Sequence, residues 1–120
     1  MSDVFVHGQR FDIRVSRRDG RSIAYAVRPE TGDRFGADFA GTSDDEAVAS
    51  LTRWLDWQDD HAAALEALQE AERAYHRAVA SHMLAGEADR SAAGQQRSEC
   101  LERVVSARER LDAIRVRRPD

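Results

Sequence analysis

Between residues 10 and 39 apolar and polar side chains alternate with a period of two. Phe11, Ile13 and Val15 interleave with Arg10, Asp12 and Arg14; Ile23, Tyr25 and Val27 with Ala24 and Ala26; Phe35, Ala37 and Phe39 with Gly36 and Asp38. A strand buried on one face reads this way. The pattern predicts strands over residues 10–16, 22–28 and 34–39. The register that gathers every large apolar side chain on one face needs three-residue loops, Arg18-Asp19-Gly20 and Glu30-Thr31-Gly32, each ending on a left-handed glycine. It sets Val15 opposite Ile23, Ile13 opposite Tyr25, and Val27 opposite both Phe11 and Phe35. The other face then carries Arg10, Arg14, Arg28 and Arg34 around a small patch of Ala24, Ala26 and Gly36. Gly8 marks a bulge or a late start to the first strand.

At Ser43 the period changes. Ser43 and Glu46 have capping-box spacing, and Asp44 and Asp45 fall where a helix dipole favours acids. Neither Pro nor Gly follows until Gly86, so a helix over residues 43–84 would run about 60 Å at its usual rise. Val48, Leu51 and Leu55 are placed to cover the sheet, with Trp54 and Trp57 where the helix leaves it. Positions 61, 65, 68, 72, 75, 79 and 82 then step by alternating four and three residues. That is a heptad seam with polar interruptions, flanked by alanines that permit close helix approach. Gly86 is read as a C-terminal cap. A second helix is firm over residues 96–116, with Cys100, Val104, Ala107, Leu111 and Ile114 on one stripe, Leu101 and Val105 widening it, and Pro119 ending it. The predicted fold is α+β in a single domain spanning 1–120: a three-stranded antiparallel β-meander (1–41) followed by a long two-helix antiparallel, coiled-coil-like hairpin (42–118).

Charge changes this picture only locally. The chain has 120 residues, a size that suits one modest core, and a net charge of −4. All 18 basic residues are arginine. Seven lie between Arg10 and Arg34, ten acids crowd residues 38–72 against Arg53 alone, and seven more arginines fall in residues 97–118. Acidic and basic blocks in the helical half would attract the two arms of a hairpin, or two copies of the chain. A single cysteine, Cys100, excludes an internal disulfide and a CxxC metal site. With no signal peptide and no apolar run of spanning length, the expected location is the cytoplasm, away from the membrane.

Candidate chemistry is sparse. Glu72 and His76 are one helical turn apart, but di-metal bundles use Glu-x-x-His and further inward acids; the returning helix offers Glu99 and Glu102 and no histidine. Cys100 on the inner stripe reads as a small hydrophobe. No phosphate loop, nucleophile elbow or zinc-protease signature occurs. The expectation is a protein that is not an enzyme, with no cofactor and no metal. The run "GDRFGADFAGTSDDEAVASLTRWL" resembles the sheet-to-helix junction of HicB-type antitoxins and other β-β-β-α modules. The shared residues are a helix cap and an alanine, which any such junction can use, so no function is carried over.

Two readings remain. In the first, Leu65, Leu68, Tyr75, Val79, Val104, Leu111 and Ile114 are too many apolar groups for a two-helix contact to hide, and the hairpin assembles as a homodimer or on a helical partner. In the second, Arg10, Arg14, Arg17, Arg18, Arg21, Arg28 and Arg34 contact nucleic acid. The centre of their face has no aromatic side chain on which a base could stack.

Overall fold

The computed structural model describes residues 2–119. They form four strands and two helices in the order β1 (Ser2–Val6), β2 (Gln9–Arg18), β3 (Arg21–Val27), β4 (Arg34–Gly41), α1 (Asp44–Leu84) and α2 (Arg90–Val116). The sheet is an antiparallel meander in chain order. The described residues fall into two compact units: one runs to Asp60 and takes in Arg118 and Pro119, the other is His61–Arg117. The fold is therefore α+β with a helical hairpin, and it has four strands where the alternation predicted three.

The additional strand comes from Gly8. His7 and Gly8 both take positive φ, at 50° and 82°, and link Val6 to its partner Gln9. A two-residue loop with both residues left-handed is the tight turn that suits the twist of a hairpin. The His7 backbone N–H also donates to Asp59 Oδ1 at 2.6 Å, which ties the hairpin tip to α1. Gly8 thus makes a turn, and "DVFV" ahead of it is a strand.

The predicted register is wrong by one residue. Arg18 pairs with Arg21, Val15 with Ala24 and Ile13 with Ala26. The loop is two residues, Asp19 and Gly20, at φ 55° and 77°. The shift moves Ile23 and Tyr25 away from the helix and puts Ala24 and Ala26 beneath it, both fully buried. The physical reason is proximity: α1 comes close to the sheet only over small side chains. Tyr25 is not left bare, because the Arg34 guanidinium lies 4.1 Å from its ring centroid and bonds Asp38 at 2.7 Å.

The second hairpin also differs. Arg28 pairs with Asp33 through a 2.8 Å backbone hydrogen bond, and Gly32 N–H donates to the Arg28 carbonyl. The loop is therefore the four residues 29–32, although Gly32 has the expected left-handed φ of 77°. Ala26 faces Phe35 while Ala24 faces Phe39, so β4 carries a bulge between them. Gly36 sits in the bulge at φ 78°. Ala37, expected on the apolar face, is exposed.

The bulge makes room for Trp54. A Cβ on Gly36 would land inside the Trp54 indole, and the Phe35 and Phe39 rings lie 5.7 and 5.9 Å from it by centroid. Trp54 therefore packs on the sheet itself, not where the helix leaves it. Phe11, Ile13, Ala47, Leu51 and Leu55 complete this core. The start of α1 is as predicted: Glu46 N–H donates to Ser43 Oγ at 3.2 Å. The Glu46 carboxylate accepts from the Thr42 hydroxyl at 2.6 Å and from the Thr42 N–H at 3.3 Å. Buried Ser22 on β3 donates its hydroxyl to Asp44 Oδ1, which fixes the helix start to the sheet.

One expectation about the hairpin's ends fails. Gly86 does not take positive φ; α1 instead finishes with Ala85 N–H bonded to the His82 carbonyl. The second helix begins at Arg90, ahead of the part predicted as firm from residue 96; Gly94 lies within it so close to His82 that a Cβ there would stand only 3.3 Å from Nε2, tighter than ordinary contact.

Two predictions follow from these contacts. Gly36→Ala must move Trp54 and strain a left-handed position, and chemical denaturation should show a loss of about 2 kcal/mol or more. The two Thr42 hydrogen bonds, side chain first, hold the Glu46 pKa below its ordinary value. A carboxyl depressed in the folded state stabilises above its unfolded pKa, and that stabilisation is lost as pH falls through the folded pKa. Glu46→Gln should therefore lower the thermal midpoint at neutral pH, and the gap should close in acid.

Candidate interaction surface

In the hairpin unit the helices run antiparallel. The Arg115 Nε–H donates to His61 Nε2 at 3.3 Å, and Gly94 faces His82. Each step forward on α2 is thus matched by one step back on α1. By this register Leu101 is level with Tyr75 and Val105 with Ala71.

The contact between the arms is built on alanine. On α1 the buried residues are Ala64, Leu68 and Ala78, with Ala71 and Tyr75 half-buried on the same stripe. On α2 they are Cys100, Val104, Leu111 and Ile114, the predicted stripe. The α1 seam is rotated from the predicted one: positions 64, 71 and 78 replace 65, 72 and 79 at the centre. Alanine lets the backbones approach, and Leu65, Glu72 and Val79 move to the rim, each half-buried.

The two flanks of the hairpin differ in chemistry. One carries a groove of about 340 Å³ with Ala78 and Cys100 in its floor and Arg77, Ser81, Gln96 and Arg103 along its walls. The other carries Leu65 and Val79 from α1 and Leu101 and Val105 from α2. Leu101 and Val105 are 45% and 46% exposed, so they do not widen the buried stripe as expected. Met83 at the end of α1 is 77% exposed on the same flank.

Of the seven residues assigned to partner binding, Leu68, Val104, Leu111 and Ile114 are therefore buried within one chain. A two-helix contact does hide them. Leu65, Tyr75 and Val79 stay half-buried. Leu101, Val105 and Met83 were missed; the signal for the first two was their place one residue beyond the α2 stripe.

The arginines divide between two faces of the sheet. Arg10, Arg14, Arg18, Arg21 and Arg34 share the helix-free face with Asp3 and Asp12, which pair side by side. Arg17 is level with Ser22 on the other face. Arg28, expected with Arg10 and Arg14, instead sits 5.5 Å from the ring centroids of Phe11 and Phe35 and donates to Gln9 Oε1 at 3.1 Å. The register shift is the cause, and it also puts Tyr25 opposite Arg14 on the helix-free face, where the extra strand adds exposed Phe5 opposite Arg10, so that face is not without aromatic side chains as expected.

Cys100 is buried, and Gln96 Nε2 lies 3.7 Å from its Sγ. Among the described residues no three His, Cys, Asp or Glu side chains converge as a metal site, and no helix is long and apolar enough to cross a membrane. Comparison of the chain with protein-family models, with curated proteins and with solved structures gives no match.

Leu68 is 9% exposed and packed between the arms. Leu68→Asp should lower stability by about 3–5 kcal/mol, since it removes a buried leucine and leaves a carboxylate in its place. Helical circular dichroism during urea titration measures this directly.

Proposed function

We propose that the protein is a non-enzymatic assembly protein that associates through its helical hairpin, with another copy or with a different helical partner. The observation that supports this most is the flank bearing Leu101 and Val105. Both stay about half exposed after the arms have closed on each other, beside Leu65 and Val79. Large apolar side chains left open on one flank are what an interaction surface would use. On α1 Glu72 lies between Leu65 and Val79, and on α2 Arg108 and Asp112 follow Val105.

The arginine reading has less support. Two of its seven residues lie on the other side of the sheet from the rest, Arg34 is engaged with Asp38, and Asp3 and Asp12 interrupt the field that would attract phosphate.

Leu101→Asp with Val105→Asp tests the proposal without confounding it with folding, because both positions are already open to water. Light scattering should show the associated species replaced by a monomer, with helical circular dichroism unchanged. Replacing Arg14 and Arg28 with Ala should leave the mass as it is. If the arginine changes alter the mass and the aspartates do not, the sheet is the working surface and the proposal is wrong.

A further inference from the structure

We infer that the sheet unit carries a binding site for a small polar carboxylate, built around Arg28. The site lies at the end of the sheet where the β1–β2 turn and the β3–β4 loop approach each other. It is independent of the hairpin surface.

Arg28 is half-buried, and its guanidinium lies 5.5 Å from the ring centroids of both Phe11 and Phe35. Its Nη1 donates to Gln9 Oε1 at 3.1 Å. The two rings and the amide together hold the group in one place. A cation withdrawn from water is ordinarily matched by an acid. Arg34 has Asp38 and Arg73 has Glu70. Among the described residues Arg28 has no such partner, and its Nε and Nη2 donors are not used within the chain.

A pocket of about 320 Å³ opens beside it, lined by Gly8, Gln9, Arg10, Arg28 and Glu30. That is near the small end of the range for ligand pockets. None of these side chains is apolar, so the ligand is polar throughout. Gly8 has open space where a Cβ would project, and the backbone there can be approached closely.

Two arginines against Glu30 leave a single positive charge in the pocket. One negative charge on the ligand balances it. The Nε and Nη2 donors form the edge of a guanidinium that donates two parallel hydrogen bonds to one carboxylate. A phosphate dianion would exceed the charge available and be repelled by Glu30. Charge and geometry both select a monocarboxylate, and Glu30 can then accept from a hydroxyl on the same ligand.

Lactate, a hydroxy-carboxylate, is the probe. It is titrated into the full chain, with backbone and arginine Nε–H resonances followed by NMR against sodium chloride of equal ionic strength. Saturable shifts should appear at Gly8, Gln9 and the Arg28 Nε–H in lactate and not in chloride. Arg10→Ala and Arg28→Lys should each weaken binding about 10-fold or more, as loss of a charged hydrogen bond does. Glu30→Gln keeps an acceptor and removes a like charge, so it should tighten binding, a gain that loss of folding cannot mimic. Arg14→Ala, outside the pocket, should leave the affinity unchanged. If Arg28→Lys unfolds the sheet, Arg10→Ala and Glu30→Gln still decide, because both side chains are exposed. Shifts that never saturate, or that fall equally on Arg14 and Arg18, overturn the site. Tighter binding of inorganic phosphate than of lactate overturns the carboxylate assignment.

Discussion

The approach of α1 to the sheet at Gly36 is the constraint on which the rest of the first unit depends. Trp54 can reach the sheet only because β4 bulges there and offers no side chain. That depth in turn requires Ala24 and Ala26 under the helix, and the alanines fix which face of β3 points inward. Once β3 is oriented, its two-residue turn and the pairing of Val15 with Ala24 follow. Ile23 and Tyr25 are then directed outward, where Arg34 covers the tyrosine ring.

The hairpin unit obeys the same rule with different parts. Ala64, Ala71 and Ala78 occupy the centre of the contact, and the larger Leu65 and Val79 are displaced to its rim. Close backbone approach gains dispersion contacts along the length of both helices, and the displaced side chains become surface. In both units small residues decide where elements meet and large residues decide what is left over.

This explains what was legible beforehand. Alternation and helix-start chemistry located three strands, the Ser43 start and the α2 stripe through Cys100, Val104, Leu111 and Ile114, because those signals are local. The β2–β3 register and the α1 seam were misread for one shared reason. Both assignments placed the bulkiest side chains innermost, whereas tertiary packing chose alanine. Asp19-Gly20 alone signals a two-residue turn, and taking that local cue over the face argument would have given the right register. For the candidate surface, Leu65, Tyr75 and Val79 were visible as apolar positions. Leu101 and Val105 could be recognised as open only once the seam's rotation was known.

The placement of the aromatic residues gives the two units separate optical identities. Both tryptophans, Trp54 and Trp57, belong to the sheet unit, and the described hairpin residues 61–117 contain Tyr75 as their sole tyrosine and no tryptophan. Trp54 lies against Phe35 and Phe39, while the Arg118 guanidinium is 5.5 Å from the Trp57 ring centroid. Indole emission therefore follows the sheet unit alone, whereas far-ultraviolet dichroism is dominated by α1 and α2. Any divergence between these two signals along a denaturation curve would read out how far the units melt as one.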